Sequence, residues 1–187
     1  MDKSTPNSPN LNRRSIRLKG YDYASEGCYF ITLVTHNREP LFGEIVDAEM
    51  HLNKYGKIVE HEWLRSAEIR REIELDEFII MPNHFHGIIH IVGTGDQPVA
   101  PTSAPVVPTN QPGPPAKSIG AFMAGFKSSV TKQINTLRNT PSEPVWQRNY
   151  YEHIISGDRE YDQIANYIFT NPLNWNVDEE NNSQKLS

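Results

Sequence analysis

Two histidines separated by one residue are the first candidates for chemistry, His84 and His86 in the stretch MPNHFHGIIHI. On a β-strand, residues two apart lie on the same face, with β-carbons roughly 7 Å apart. Two imidazoles at this separation can bind one divalent metal ion and leave positions open for a third protein ligand and for substrate oxygens. An H-x-H on a strand is common, so the tripeptide taken alone favours an ordinary strand with two polar residues. His90 lies on the same face but further along the strand, so it is a poorer candidate for the same ion.

A tyrosine and an asparagine near the C-terminus form a second candidate pair, Tyr167 and Asn171 in REYDQIANYIFTNP. Residues four apart in a helix share a face and lie one turn from each other. A tyrosine hydroxyl beside an amide suits metal-assisted phosphoryl transfer, in which the phenolate attacks a phosphate and the asparagine carbonyl completes the metal shell. The alternative is that Tyr167 is a half-buried anchor of an amphipathic helix that ends before Pro172.

The composition excludes several other classes of protein and of metal site. A chain of 187 residues with net charge −5 most naturally forms one domain. Cys28 is the only cysteine, which excludes an intramolecular disulfide framework and a cysteine-rich zinc site. A structural zinc would have to recruit distant histidines such as His36, His61 or His153. No apolar run is long enough to span a bilayer and the N-terminus is polar, so we expect a cytoplasmic protein without a membrane partner.

The elements that position these residues are predicted in the order β-α-β-β-α-β-α. Alternation predicts strands at 28–36, 73–81, 84–92 and 146–156, and a short hairpin at 42–52 that turns near Asp47 and Ala48. Helical spacing predicts helices at 52–70 with Asn53 as N-cap, at 118–137 with Ser118 as N-cap, and at 159–171. The first six elements match the ferredoxin-like split pattern, an α+β fold with an antiparallel sheet and helices on one face. The seventh is an additional C-terminal helix that carries Tyr167.

The domain organisation follows from changes in composition along the chain. Residues 1–16 are rich in Ser, Asn and Pro and are predicted to form a disordered tail. Residues 17–175 are predicted to form a single domain, interrupted by a proline-rich, flexible insertion at 93–117. Residues 176–187 form an acidic and polar tail.

Six segments of the chain together resemble the REP-associated tyrosine transposases, which belong to the single-tyrosine transposases of the HUH endonuclease superfamily. The segments are LFGEIV, LNKYGKIV, ELDEFIIMPNHFHGIIHIV, FKSSVTKQIN, VWQRNYYEHII and YIFTNPLNW. The resemblance runs from about residue 17 to residue 175 and omits the insertion. The order of MPNHFHGII, WQRNYYEHII and YIFTNP is its most specific part.

This resemblance implies an activity and a role for each candidate residue. It implies that His84, His86 and Asn171 bind Mg²⁺ or Mn²⁺ and that Tyr167 is the nucleophile. The implied reaction cleaves single-stranded DNA near hairpins, leaving a covalent 5′-phosphotyrosine and a free 3′-hydroxyl, and the same intermediate can rejoin another strand. A relative that binds DNA hairpins without cutting them is the alternative. Such proteins occur as monomers or homodimers, and the sequence does not decide between these states.

Other residues are candidates for contact with DNA or for the nucleophile. Tyr150 and Tyr151 are rivals of Tyr167, although core packing or base stacking also explains them, and the role of His153 is open. Basic and aromatic side chains suit phosphate contacts and stacking on unpaired bases. The candidates are Arg13, Arg14, Arg17, Lys19, Lys127, Lys132, Arg148, Tyr151 and His153. Each of the basic residues taken singly is also explained as an ordinary surface charge.

Overall fold

Six strands and three α-helices make up the part of the chain that a computed structural model describes, residues 26–92, 117–178, 180 and 181. The strands of this part are β1 (Gly27–Val34), β2 (Gly43–Val46), β3 (Glu49–Leu52), β4 (Ile73–Ile80), β5 (His84–Ile91) and β6 (Tyr151–Ile155). The α-helices are α1 (Lys54–Ile69), α2 (Ile119–Arg138) and α3 (Asp158–Thr170), and 3-10 helices cover His36–Arg38 and Pro172–Val177. The predicted N-terminal tail, and all of the predicted insertion except Lys117, lie outside the described residues.

The main sheet has the strand order β4-β5-β1-β6, and each pair of neighbours is antiparallel. Strands β1 and β4 are joined through α1 and have β5 between them, and β6 returns beside β1 after α2. This is the strand order of the split β-α-β-β-α-β pattern, so the ferredoxin-like prediction is confirmed. Strands β2 and β3 form a separate hairpin between β1 and α1.

The two faces of the sheet carry different layers because side chains alternate along each strand. One face packs under α1 and α2, with the buried Trp63 ring at the centre. Its ring centroid lies 4.5 Å from Phe85, 5.6 Å from Phe122 and 5.3 Å from Phe126. The opposite face packs under α3 in a smaller apolar cluster that includes Ile168. The residues of β5 that do not face Trp63 therefore lie beneath α3.

Local signals fix the turns and helix starts as predicted. The Asn53 carboxamide accepts hydrogen bonds from the backbone N–H of Tyr55 and Gly56, and the Ser118 hydroxyl accepts one from Ala121. Asp47 and Ala48 adopt φ values of 50° and 63°, the left-handed pair that a two-residue hairpin turn requires. The predicted hairpin and both N-caps are confirmed.

Strand β6 is shorter than predicted. It begins at Tyr151, and Trp146 makes only an isolated bridge with Thr35. The Lys127 ammonium donates to the backbone carbonyls of Gln147 and Arg148, at 2.7 and 3.0 Å, so these carbonyls turn toward α2 and not toward a neighbouring strand. The prediction of a strand over 146–156 is wrong in its first five residues for this reason.

The last helix ends where its sequence predicts. Helix α3 stops at Thr170 and Asn171 follows as its C-cap, because Pro172 has no N–H to continue the α-helical hydrogen bonding. Pro172 is the first residue of the 3-10 helix that follows. Within the described parts of the chain, no helix is both long enough and apolar enough to cross a membrane.

Replacing Gly87 by alanine tests the packing between β5 and Trp63. A β-carbon at Gly87 would lie 2.9 Å from both Phe85 Cε1 and Trp63 Cζ2, so we expect Gly87→Ala to destabilise the fold by about 1–3 kcal/mol. Gly125→Ala on α2 is the matched control, since its nearest neighbour is 3.8 Å away, and we expect it to stabilise by roughly 0.5–1 kcal/mol. Urea unfolding measures both changes. A Gly87→Ala protein as stable as the wild type would contradict this packing.

Candidate active site

Strand β5 presents two histidines side by side on the face beneath α3. His84 pairs with Val34 and His86 with Thr32 of β1, so both rings project from the same face of the sheet. Their ring centroids lie 4.6 Å apart, and the side chains are 0% and 3% exposed. The spacing in the sequence predicts this shared face, and the central position of β5 explains the burial.

Helix α3 brings the predicted tyrosine onto this pair. The Tyr167 hydroxyl lies 3.2 Å from His86 Nε2, and the two ring centroids are 5.2 Å apart. Phe30 of β1 stacks on the His86 ring at 5.3 Å and meets Tyr167 edge-on at 6.2 Å. Because Tyr167 remains 44% exposed, its hydroxyl stands at the boundary between the buried histidines and solvent.

Asn171, the residue after α3, lies buried beside His84. It is 1% exposed, and the proximity of its side chain to His84 favours the charged form of that histidine. Neither Asn171 Oδ1 nor Asn171 Nδ2 completes a hydrogen bond within the described part of the chain, and the same holds for His84 Nε2. Buried polar atoms usually find partners, so three of them at one place indicate a site with a role beyond folding.

Both histidines are held in the neutral form. Burial lowers the pKa of His84 to about 4, an effect that nearby Arg38 reinforces and that Asp178 and Asn171 oppose. Burial, followed by the neighbouring His84, lowers the pKa of His86 well below its usual value. Neutral imidazole is the form whose lone pair can bind a metal ion. Among the described residues no cluster of three or more His, Cys, Asp or Glu could hold a metal, so a third protein ligand here would have to be another residue type.

Polar contacts fix the first turns of α3 on the sheet. Asp76 Oδ2 accepts hydrogen bonds from the Tyr161 hydroxyl and from His90 Nε2, each at 2.9 Å. Burial opposes ionisation of Asp76, but these hydrogen bonds outweigh it and lower its pKa, and the same contact raises the pKa of Tyr161 to about 12. His90 thus lies on the same face of the sheet as the histidine pair and contacts Asp76.

The remaining candidates in WQRNYYEHII, which are Tyr150, Tyr151 and His153, lie on different faces of the sheet. Tyr150 packs against the core beneath α1 and α2. Tyr151 pairs with Thr32, is 44% exposed, and lies 6.3 Å from Phe30 between ring centroids, so it borders the site. His153 Nε2 lies 2.7 Å from Glu160 Oε1, within hydrogen-bond distance, and this contact attaches β6 to the first turn of α3.

Three of the predicted DNA contacts lie together away from the histidines. Lys127, Lys132 and Arg148 line one pocket of about 440 Å³ between α2 and the segment that leads to β6. Burial lowers the pKa of Lys127 to about 8, and its ammonium is engaged by backbone carbonyls, whereas Lys132 and Arg148 are exposed. Arg13, Arg14, Arg17 and Lys19 lie outside the described residues.

Several residues around the histidines carry no signal in the sequence. The Thr32 hydroxyl lies 2.8 Å from His86 Nδ1, and Asn83 Oδ1 lies 2.9 Å from His84 Nδ1. Trp175, on the 3-10 helix after α3, has its ring centroid 6.0 Å from that of His84. The sequence Pro82-Asn83 is typical of a turn and indicates no other role for Asn83. Only its position immediately before the histidine pair could have indicated a function in the site.

Comparison with solved structures assigns the fold class. The chain is similar to a REP-associated tyrosine transposase solved bound to a REP hairpin, with a TM-score of 0.52 and 17% identity over 86% of this chain and 73% of that chain. The protein therefore has the α+β fold of that transposase, as the sequence resemblance implies.

Comparison of sequences assigns the family. No protein-family model matches the chain. A protein of Haemophilus influenzae, described as uncharacterized, is 42% identical over 171 residues, which are 90% of this chain and 92% of that protein. The chain belongs to the same family as this H. influenzae protein.

The neutral histidines predict a pH dependence of stability. Below pH 6.5 the unfolded chain binds protons at His84 and His86 that the folded protein does not bind, so the free energy of unfolding falls as the pH is lowered from 6.5 to 5. The slope is at most about 1.4 kcal/mol per pH unit for each histidine. Carboxylates with lowered pKa values, such as Asp76, lose their contribution only at lower pH.

Urea unfolding with a chelator present, at pH 7.5, 6.5, 5.8 and 5, measures this slope. We expect the double variant His84→Gln/His86→Gln to flatten this slope. His84→Gln alone should keep the part of the slope that His86 contributes. An equal slope in the wild type and the double variant would contradict the neutral state of the buried pair.

Proposed function

We propose that the protein is a metal-dependent, single-strand DNA endonuclease and strand transferase that acts near DNA hairpins, as a transposase does. The proposal rests on one observation above all. The Tyr167 hydroxyl lies 3.2 Å from His86 Nε2, beside the unpartnered His84 Nε2 and the unpartnered side chain of Asn171. The fold shared with a REP-associated tyrosine transposase supports the same class of reaction.

The donor atoms around this point fit a divalent metal ion. His84, His86 and Asn171 would hold it through imidazole nitrogens and an amide oxygen, a set compatible with Mg²⁺ or Mn²⁺. When bound, the ion would polarise the scissile phosphate and neutralise its developing charge. The buried, unpartnered atoms of His84 and Asn171 support this assignment, because a metal would satisfy groups that the described protein leaves without partners.

Tyr167 supplies the nucleophile in the proposed reaction. Its phenolate oxygen attacks the phosphorus, a bond between phosphorus and tyrosine forms, and the bond from phosphorus to the 3′ oxygen breaks. The 3′ oxygen takes up a proton and leaves as a 3′-hydroxyl, while the phosphate remains on Tyr167 as a 5′-phosphotyrosine. The phenolic proton passes to solvent, which reaches the side chain because it is 44% exposed. Attack by the 3′-hydroxyl of another strand reverses these steps and joins the strands.

Two exposed surfaces suit single-stranded DNA, one next to the site and one at the pocket between α2 and the segment that leads to β6. Tyr151 offers an exposed ring next to the site on which an unpaired base can stack. Lys132 and Arg148 offer exposed cations at the pocket that precedes β6. Lys127 supports this surface by holding the backbone of residues 147 and 148, because both of its hydrogen bonds go to their carbonyls.

The covalent intermediate gives the most direct test of this proposal. Incubation with single-stranded hairpin DNA and Mn²⁺ should give a protein–DNA adduct that survives denaturing electrophoresis. We expect Tyr167→Phe to abolish the adduct and chelation or His84→Ala to reduce it at least about 100-fold, since each removes a part of the reacting site. Tyr151→Phe is the matched control, because Tyr151 is equally exposed and borders the same site. We expect it to retain the adduct.

An adduct that persists in Tyr167→Phe but disappears in Tyr151→Phe would overturn the assignment of the nucleophile. Tight binding of hairpins without any adduct in Mg²⁺ or Mn²⁺ would favour the alternative, a hairpin-binding protein that does not cut.

The salt dependence of DNA binding tests the role of the pocket. We expect Lys132→Ala/Arg148→Ala to weaken binding of single-stranded DNA to a similar extent for all sequences. The slope of log K against log salt should become less steep by about 0.7 for each lost phosphate contact. Lys57→Ala on α1 is the control, since Lys57 is exposed and lies outside the pocket. Fluorescence anisotropy measures all three proteins, and an unchanged slope in the double variant would contradict a phosphate contact here.

A further inference from the structure

The Asn83 carboxamide, immediately before the histidine pair, is held from several directions. It is 2% exposed. Its Nδ2 donates to the backbone carbonyl of Arg38 at 3.2 Å and to that of Glu180 at 2.6 Å. Its own backbone carbonyl accepts from the Thr35 N–H at 2.8 Å. Both amide protons of the side chain are therefore used, and the residue is fixed between β1 and the segment that follows the last 3-10 helix.

These partners determine which way the carboxamide points. Backbone carbonyls only accept hydrogen bonds, so the side-chain atom that faces Arg38 and Glu180 must be the NH₂ group. The side-chain oxygen is then left facing His84 Nδ1, at 2.9 Å. A rotated carboxamide would place an oxygen against two carbonyl oxygens and would lose both hydrogen bonds. The orientation thus follows from the chemistry of the partners.

This orientation in turn determines the form of the His84 ring. An amide oxygen can only accept a hydrogen bond, so His84 Nδ1 must carry the proton and donate it to Asn83. In a neutral imidazole the other nitrogen then has a free lone pair, and this nitrogen is the buried Nε2 that has no hydrogen-bond partner among the described residues. The opposite tautomer would leave the Nδ1 lone pair facing a lone pair of the Asn83 side-chain oxygen, with no proton between them.

We propose that Asn83 is a positioning residue that holds His84 as the Nδ1–H tautomer and directs the Nε2 lone pair into the candidate active site. The link from this tautomer to a metal ion rests on the proposed function, whereas the tautomer itself does not. Partners of this kind behind metal-binding histidines fix the ring orientation and increase the basicity of the ligand. Asn83 thereby extends the site to the backbone of Arg38 and Glu180, which hold its amide in place.

The tautomer can be measured directly in metal-free protein. Two-bond ¹⁵N–¹H correlation spectra of protein labelled at histidine should show His84 with a protonated Nδ1 and an unprotonated Nε2. We expect Asn83→Leu, which removes the acceptor, to abolish this single form, while the signals of His86 change little. Asn83→Asp keeps an oxygen toward Nδ1, so we expect it to retain the Nδ1–H form, while the loss of the two hydrogen bonds to the Arg38 and Glu180 carbonyls lowers its stability.

Mn²⁺ binding by the same proteins gives a second readout. We expect Asn83→Leu to weaken the affinity for Mn²⁺ alone by about 10- to 100-fold, and Asn83→Asp to recover most of that loss. A wild-type His84 that is protonated at Nε2 would overturn the proposal. So would an Asn83→Leu protein that keeps both the Nδ1–H form and the wild-type affinity. If the wild type bound no Mn²⁺, the proposed function would fail, but the spectrum of the wild type would still decide the role of Asn83, even if Asn83→Leu did not fold.

Discussion

The packing of α3 across the open face of the sheet is the interaction on which the rest of the site depends. Ile168 is buried in the apolar cluster of that face, and Tyr161 attaches the first half of the helix to Asp76. This packing covers His84 and His86, and burial is the main reason that their pKa values fall. It also places the Tyr167 hydroxyl 3.2 Å from His86 Nε2. The histidines of the sheet and the tyrosine of the helix become one site only through this contact.

Such a site has a cost for the folded protein. Burying a polar atom without a hydrogen bond is unfavourable by about 1–3 kcal/mol, and His84 Nε2 and both polar atoms of the Asn171 side chain are in that position. The surroundings are otherwise well satisfied: Thr32 contacts His86 Nδ1, and Asn83 contacts His84 Nδ1. Three buried, unpartnered side-chain atoms thus lie where the proposed metal would bind, and departures of this kind from good hydrogen bonding are typical of functional sites.

The sequence predicts the parts of this arrangement that follow from the regular repeat of residues along a strand or a helix. The alternation of residues along β5 places His84 and His86 on one face, and the helical period places Tyr167 one turn before Asn171. Contacts between segments that are distant in the sequence follow no such repeat, so no sequence pattern predicts them. Asn83 reaches the backbone of Glu180, 97 residues away, and β6 starts late because Lys127 binds the carbonyls before it. Residues of this kind are defined only when the fold brings their partners together.

Crystals grown with Mn²⁺ and measured at the manganese absorption edge test most directly the claim that these residues form one metal-dependent site. We expect a single anomalous peak within about 2.0–2.4 Å of His84 Nε2, His86 Nε2 and Asn171 Oδ1, on the side that Tyr167 faces. That peak should disappear in His84→Ala. A peak at Asp76 and His90 with none between His84 and His86, or no peak at any of these residues at millimolar Mn²⁺, would contradict it.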